Sequence, residues 1–163
     1  MDMRKPVVVV GLLALTAVLA ACDGGGDKGG NGKAAQAALK QMRWYTPEQV
    51  AAGEKLYREN CASCHGADAS GSANWREPDA NGKFPPPPLN GSAHAWHHPK
   101  NMLRMTIKRG GIPIGGSMPP FGDKLDDDEI DAVIAWIQSH WNDEIYSAWA
   151  RRNAQAALAG ARK

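Results

Sequence analysis

The sequence predicts an all-α fold, and three observations carry that expectation. Thr46-Pro47-Glu48-Gln49 has the residues of a helix start: Thr46 as N-cap, Pro47 at the first helical position, Gln49 closing a capping box. Asp126-Asp127-Asp128-Glu129 opens another, with Asp126 able to cap and Glu129 at the third helical position. Ile130, Val133, Ile134, Ile137 and Trp141 follow it at spacings of three and four, the period of a buried helical stripe. No stretch between the two starts is strand-rich; it is polar, dotted with glycine and rich in proline.

The first helix places Val50, Gly53, Tyr57 and Cys61 along one side and delivers Cys61-Ala62-Ser63-Cys64-His65 at its end. Two thiols three apart, with an imidazole directly after the second, can grip both vinyl edges of a haem as thioethers and present His65 to the iron. A thioredoxin-like dithiol and half of a zinc site are the competing readings. The dithiol normally opens a helix inside a βαβ pattern, and a structural zinc site wants four ligands, whereas no second Cys-x-x-Cys follows here. The haem is therefore expected to be the core around which the helices pack.

From Trp44 to Trp141 the chain resembles the class I c-type cytochromes. The resemblance lies in the haem pentapeptide, the Gly53 and Tyr57 pair, Pro87-Pro88-Leu89-Asn90-Gly91, and Gly115-Gly116-Ser117-Met118-Pro119-Pro120-Phe121. It implies a class I cytochrome c fold, a few helices around one haem c attached through Cys61 and Cys64. It further implies that Gly53 and Tyr57 meet the C-terminal core helix, that the Pro87 carbonyl accepts a hydrogen bond from the His65 ring, that Leu89 lies on the porphyrin, and that Met118 is the sixth iron ligand opposite His65. Met42, Met102 and Met105 lack the Gly and Pro flanks and read as packing residues. The four prolines from Pro85 to Pro88 have another reading, a polyproline spacer or recognition element.

The remaining segments are less determined. Gly66 to Lys83 has no clear period and reads as a loop. His94-Ala95-Trp96-His97-His98 reads as solvated loop histidines; a copper or zinc site with Met102 and Met105 nearby, or a sixth haem ligand, are the other readings. Pro99 to Arg109 reads as a short helix with Leu103 and Ile107 inward and Gly110-Gly111 ending it. Lys100, Arg104 and Lys108 form a basic stripe on another face, either solvated or steering an acidic redox partner. Trp136 lies beside the buried stripe and is expected to border the haem. Residues 142–163, rich in Ala and Arg, read as an amphipathic helical extension that either lies over the domain or frays, without an assigned role.

Of the 163 residues, 1–21 read as an export signal: Arg4 and Lys5, then an apolar run from Val7 to Ala20, too short to span a bilayer. Leu19-Ala20-Ala21-Cys22 resembles the lipobox of bacterial lipoproteins, which gives the third cysteine an assignment as the lipidated residue. Residues 22–43 then form a Gly-rich tether, and 44–141 the cytochrome c domain. The implied address is the periplasmic side of a bacterial membrane, anchored through the lipid on Cys22, with Asp23 resembling an inner-membrane retention signal. Removing Arg4, Lys5 and Asp2 with the signal leaves the charge near balance, which gives no footing for nucleic acid.

The expected function is that of a single-electron carrier in a respiratory or periplasmic chain, not an enzyme, handing electrons to redox partner proteins. The rival readings are a haem-based sensor, in which a small gas displaces Met118, and a copper-handling protein.

Overall fold

The structure is a computed structural model and describes residues 43–162. The export signal, Cys22, Met42 and nearly all of the tether lie outside the described residues. Five α-helices follow one another: α1 (Pro47–Asn60), α2 (Ala62–His65), α3 (Lys100–Arg109), α4 (Asp127–Ser139) and α5 (Asp143–Gly160). Two 3-10 turns, Ala95–His97 and Ile112–Ile114, lie between them. No strand forms among the described residues; a single parallel bridge joins Phe84 and Gly116.

Both expected capping boxes are present. The Thr46 hydroxyl accepts from the Gln49 N–H while the Gln49 side chain accepts from the Thr46 N–H, and Asp126 and Glu129 repeat the exchange at α4. Each box satisfies backbone donors that the first helical turn leaves without partners.

α1 and α4 cross at Gly53, and the fold is built on that crossing. A Cβ on Gly53 would lie 1.9 Å from the Ala132 carbonyl oxygen, so only glycine lets the backbones come this close. One turn on, the Tyr57 ring lies against Trp136 with centroids 4.0 Å apart, and both side chains are buried. The Tyr57 hydroxyl donates to the Gly66 carbonyl at 2.9 Å, tying the end of the haem pentapeptide back to α1. Trp136, expected at the haem's border, faces this crossing instead. The other side of α4, with Ile134 and Ile137, faces the cavity described below.

Residues 143–160 do not fray. Tyr146 and Trp149 on α5 are buried, and the Trp149 indole N–H donates to the His98 carbonyl at 3.0 Å. The Lys100 N–H at the start of α3 donates to the Asn153 side chain at 2.9 Å. Arg43 closes the same end of the molecule: its guanidinium donates to the carbonyls of Gln138 and Trp141 and pairs with Asp143 at 2.9 Å. It thereby satisfies carbonyls that the end of α4 leaves exposed.

The basic stripe of α3 is not a free solvated face. Lys100 and Arg104 both pair with Asp131 of α4, at 2.8 and 2.7 Å, and Lys108 pairs with Asp127. The charges are spent on joining two helices.

Candidate haem site

Three sides of the molecule converge on one cavity of about 800 Å³: the pentapeptide, the proline loop, and the face formed by α3, α4 and the Met118 loop. Its walls are mostly Pro, Leu, Ile, Met, Phe and Trp side chains, and no aspartate or glutamate is among the residues that line it. Cys61, Cys64, His65, Pro87, Leu89 and Met118 all stand on this wall, so the fold gathers every candidate site residue within its described part into one place.

Cys61 and Cys64 reach the cavity because α1 stops at Asn60 and α2 restarts at once, turning both side chains to the same side. Burial, followed by the neighbouring Cys64, pushes the Cys61 thiol up to about 11. His65 is buried, and its Nδ1 lies 2.9 Å from the Pro87 carbonyl oxygen. A carbonyl can only accept, so Nδ1 carries the proton and Nε2 keeps its lone pair for a metal. Burial lowers the pKa of His65, and the Pro87 hydrogen bond offsets part of this, which keeps the imidazole neutral and able to ligate.

Backbone contacts behind Pro87 fix that carbonyl. Gly71 adopts φ +65°, and a Cβ there would lie 2.5 Å from the Pro87 carbonyl carbon. The Gly71 N–H donates to the His65 carbonyl at 2.7 Å, and Ser72 donates to Pro86 at 2.8 Å. Ala69, the one non-glycine with positive φ among the described residues, accepts from both Leu89 and Asn90 through its carbonyl. The Leu89 carbonyl in turn accepts from the Trp141 indole at 2.8 Å. Pro88 is buried while Pro85, Pro86 and Pro87 line the cavity, so the proline run is wall rather than spacer.

In the loop after α3, Met118 is half-buried with its backbone held by two glycines. The Gly111 N–H donates to the Met118 carbonyl at 2.9 Å, and a Cβ on Gly110 would lie 2.6 Å from that oxygen. Met102, expected to pack, is instead 45% exposed and stands on the cavity wall; Met105 is equally exposed and is not on it.

The arrangement fits a haem: a large apolar cavity lined by two thiols, by the His65 imidazole with its Nδ1 held by Pro87 and Nε2 left free, and by the Met118 thioether, with Met102, His94 and His98 also on the wall. The family described as "Cytochrome C oxidase, cbb3-type, subunit III" matches this chain over residues 48–137, just over half of its length. The chain belongs to this family. Its cytochrome c domain is similar to the cbb3-type cytochrome c oxidase subunit FixP of Sinorhizobium medicae, with 30% identity over 96 residues, 55% of this chain and 29% of that protein. It is also similar to subunit CcoP of Rubrivivax gelatinosus, with 39% identity over 74 residues, 45% of this chain and 20% of that protein. Thiosulfate dehydrogenase of Allochromatium vinosum is 34% identical over 92 residues, 54% of this chain and 30% of that protein. The chain thus spans less than a third of the length of each of these relatives. No solved structure matches it significantly. No helix among the described residues is long and apolar enough to cross a membrane.

Several wall residues had little signal in the sequence. Trp75 and Arg76 sit in the loop without periodicity; off the wall, Gly71 reads as a loop glycine and Gly110 as a helix-ending one until their backbone neighbours are known. Trp141 belonged to the apolar stripe, but its hydrogen bond to Leu89 did not follow from spacing.

Proposed function

We propose that this cytochrome c domain carries single electrons through one haem c, attached by Cys61 and Cys64, with His65 and Met118 as axial ligands. The haem, when bound, supplies a one-electron ferric/ferrous couple. The observation that supports the reading best is the convergence of both thiols, the Nδ1-protonated His65 and Met118 on one apolar cavity. Pro87 holds the proximal ring in a fixed tautomer and orientation, Gly110 and Gly111 hold the Met118 backbone, and Leu89, Ile134 and Ile137 keep water from the space between. A site closed on both faces and held by backbone contacts changes little between oxidation states, which suits electron transfer rather than substrate turnover.

The relatives' place in cbb3-type oxidases supports a partner of that kind, an oxidase complex or another respiratory redox protein. The sequence of residues 1–22 supports export and lipid attachment at Cys22, on the periplasmic face of the inner membrane.

The test is the absorption spectrum of the oxidised protein, which is expected to show the weak band at the red edge that reports iron to methionine sulfur coordination. Met118→Ala should abolish it and Met102→Ala should not; the reverse result assigns the ligand to Met102. Cys22→Ser is expected to release the protein from the membrane fraction, and retention would refute the lipid assignment.

A further inference from the structure

Apart from His65, three side chains on the cavity wall can carry positive charge: Arg76, His94 and His98. They form one connected cluster. The Arg76 guanidinium lies over the Trp75 ring at 4.2 Å, that ring lies against His94 at 5.1 Å, and His98 meets His94 edge-on at 5.6 Å. His94 is exposed, so water reaches the pair, while His98 is half-buried and its backbone is held by Trp149 of α5. The charged groups acting on the two rings come from each element around them: Arg76 from the loop, His97 from their own segment, Arg152 from α5. All are basic groups.

The wall offers no carboxylate to pair with a proton gained there. A haem brings two carboxylates on its edge and an iron whose charge changes by one unit. Burial first, and then the neighbouring basic groups, push both imidazoles below their ordinary range, so they are largely neutral near neutral pH and have a proton to gain.

We propose that the His94 and His98 pair is a proton-binding site coupled to the oxidation state of the haem. The inference rests on the haem reading above. On reduction, one electron arrives from the reduced redox donor and one proton from solvent forms an N–H bond on one of the two imidazoles; on oxidation both leave. The physical link is electrostatic: the added negative charge in a cavity of low dielectric lowers the cost of an imidazolium on its wall. Protons then bind more tightly to the reduced form, so by reciprocity the midpoint potential falls as pH rises between the two pKa values and is flat outside them.

The test is a redox titration of the haem-loaded protein at pH values from about 5 to about 9, spanning the histidine range. The expected result is a potential that falls with pH in the wild type and is flat in the double variant His94→Gln with His98→Gln. His97→Gln, whose ring is not on the cavity wall, should keep the wild-type slope. A flat wild-type line, or a slope that survives in the double variant, overturns the proposal. A second readout needs no variant: the ring-proton resonances of His94 and His98 should titrate at higher pH in the reduced protein than in the oxidised one, and equal midpoints overturn the proposal. The red-edge band separates the two levels of failure. Its presence with a pH-independent potential defeats the proton coupling alone, whereas its absence defeats the ligation on which the coupling rests.

Discussion

A methyl group built on Gly71 would fall 2.7 Å from the carbonyl oxygen of Pro87, the oxygen that accepts the His65 Nδ1 hydrogen bond. The glycine therefore bears on the position of the His65 ring through the carbonyl that holds it, not by contact with the ring. Gly71→Ala has to push that carbonyl aside and also hold a side chain at φ +65°. The expected cost is about 1–3 kcal/mol of stability. Weakening the Nδ1 bond makes the imidazole a poorer donor to ferric iron, so the midpoint potential should rise. Denaturant titration and redox titration check the two effects, and wild-type values in both would refute the positioning role.

The α1 and α4 crossing predicts a larger effect. Gly53→Ala puts a Cβ 1.9 Å from the Ala132 carbonyl oxygen, with helix backbone on both sides and nothing flexible to yield. A loss of about 3 kcal/mol or more is expected, together with poor yield of haem-loaded protein. Gly160→Ala, where nothing lies within 4 Å, should be near neutral and serves as the control.

α5 is expected to be necessary for the integrity of the cavity. Trp149→Ala removes a buried indole and the donor to the His98 carbonyl. A loss of about 3–5 kcal/mol in denaturant titration is predicted. A variant of unchanged stability would return residues 143–160 to the status of a loose extension.

The helix-joining ion pairs predict a pH dependence on the acid side. The Lys108 hydrogen bond, with its charge and that of Arg104, holds the Asp127 carboxyl below its ordinary value of 3.8. A depressed carboxylate contributes stability above its unfolded pKa and loses it as pH falls through the folded value. The stability difference between wild type and Asp127→Asn should therefore be present at neutral pH and vanish as pH falls below the ordinary carboxylate range. A difference that persists in acid would refute the assignment. Because Lys100 and Arg104 are paired with Asp131, their neutral variants should lower stability more than they slow association with an acidic partner, which parallel denaturant and stopped-flow measurements would separate.

Carbon monoxide binding is the remaining test. Ligation by Met118, as proposed, predicts that the ferrous protein refuses carbon monoxide, while ready binding would favour the sensor reading. Met118→Ala should open the site and bind it.

Helix starts were legible because they obey local rules, and the crossing residues because the family resemblance pointed to them. A capping box is complete within four residues, and Gly53 with Tyr57 stands on one face of one helix. The haem pentapeptide was legible for the same reason, since its chemistry needs no distant partner. Trp136 was misplaced because a stripe fixes which residues are buried but not which side of the helix meets the cofactor. The basic stripe was misread because its partners, Asp127 and Asp131, lie on another helix.

The amino-acid order by itself determined where helices begin and which residues can hold a haem, and through the family resemblance it offered His65 and Met118 as the ligands to propose for the iron. Tertiary structure decided that the Pro87 carbonyl reaches His65, that Met118 shares the cavity with the cysteines while Met105 does not, and that His94 and His98 stand on a wall that carries no carboxylate. The physical reason is range: propensity and capping act over a few residues along the chain, whereas dielectric, charge pairing and close backbone approach depend on neighbours that only folding supplies.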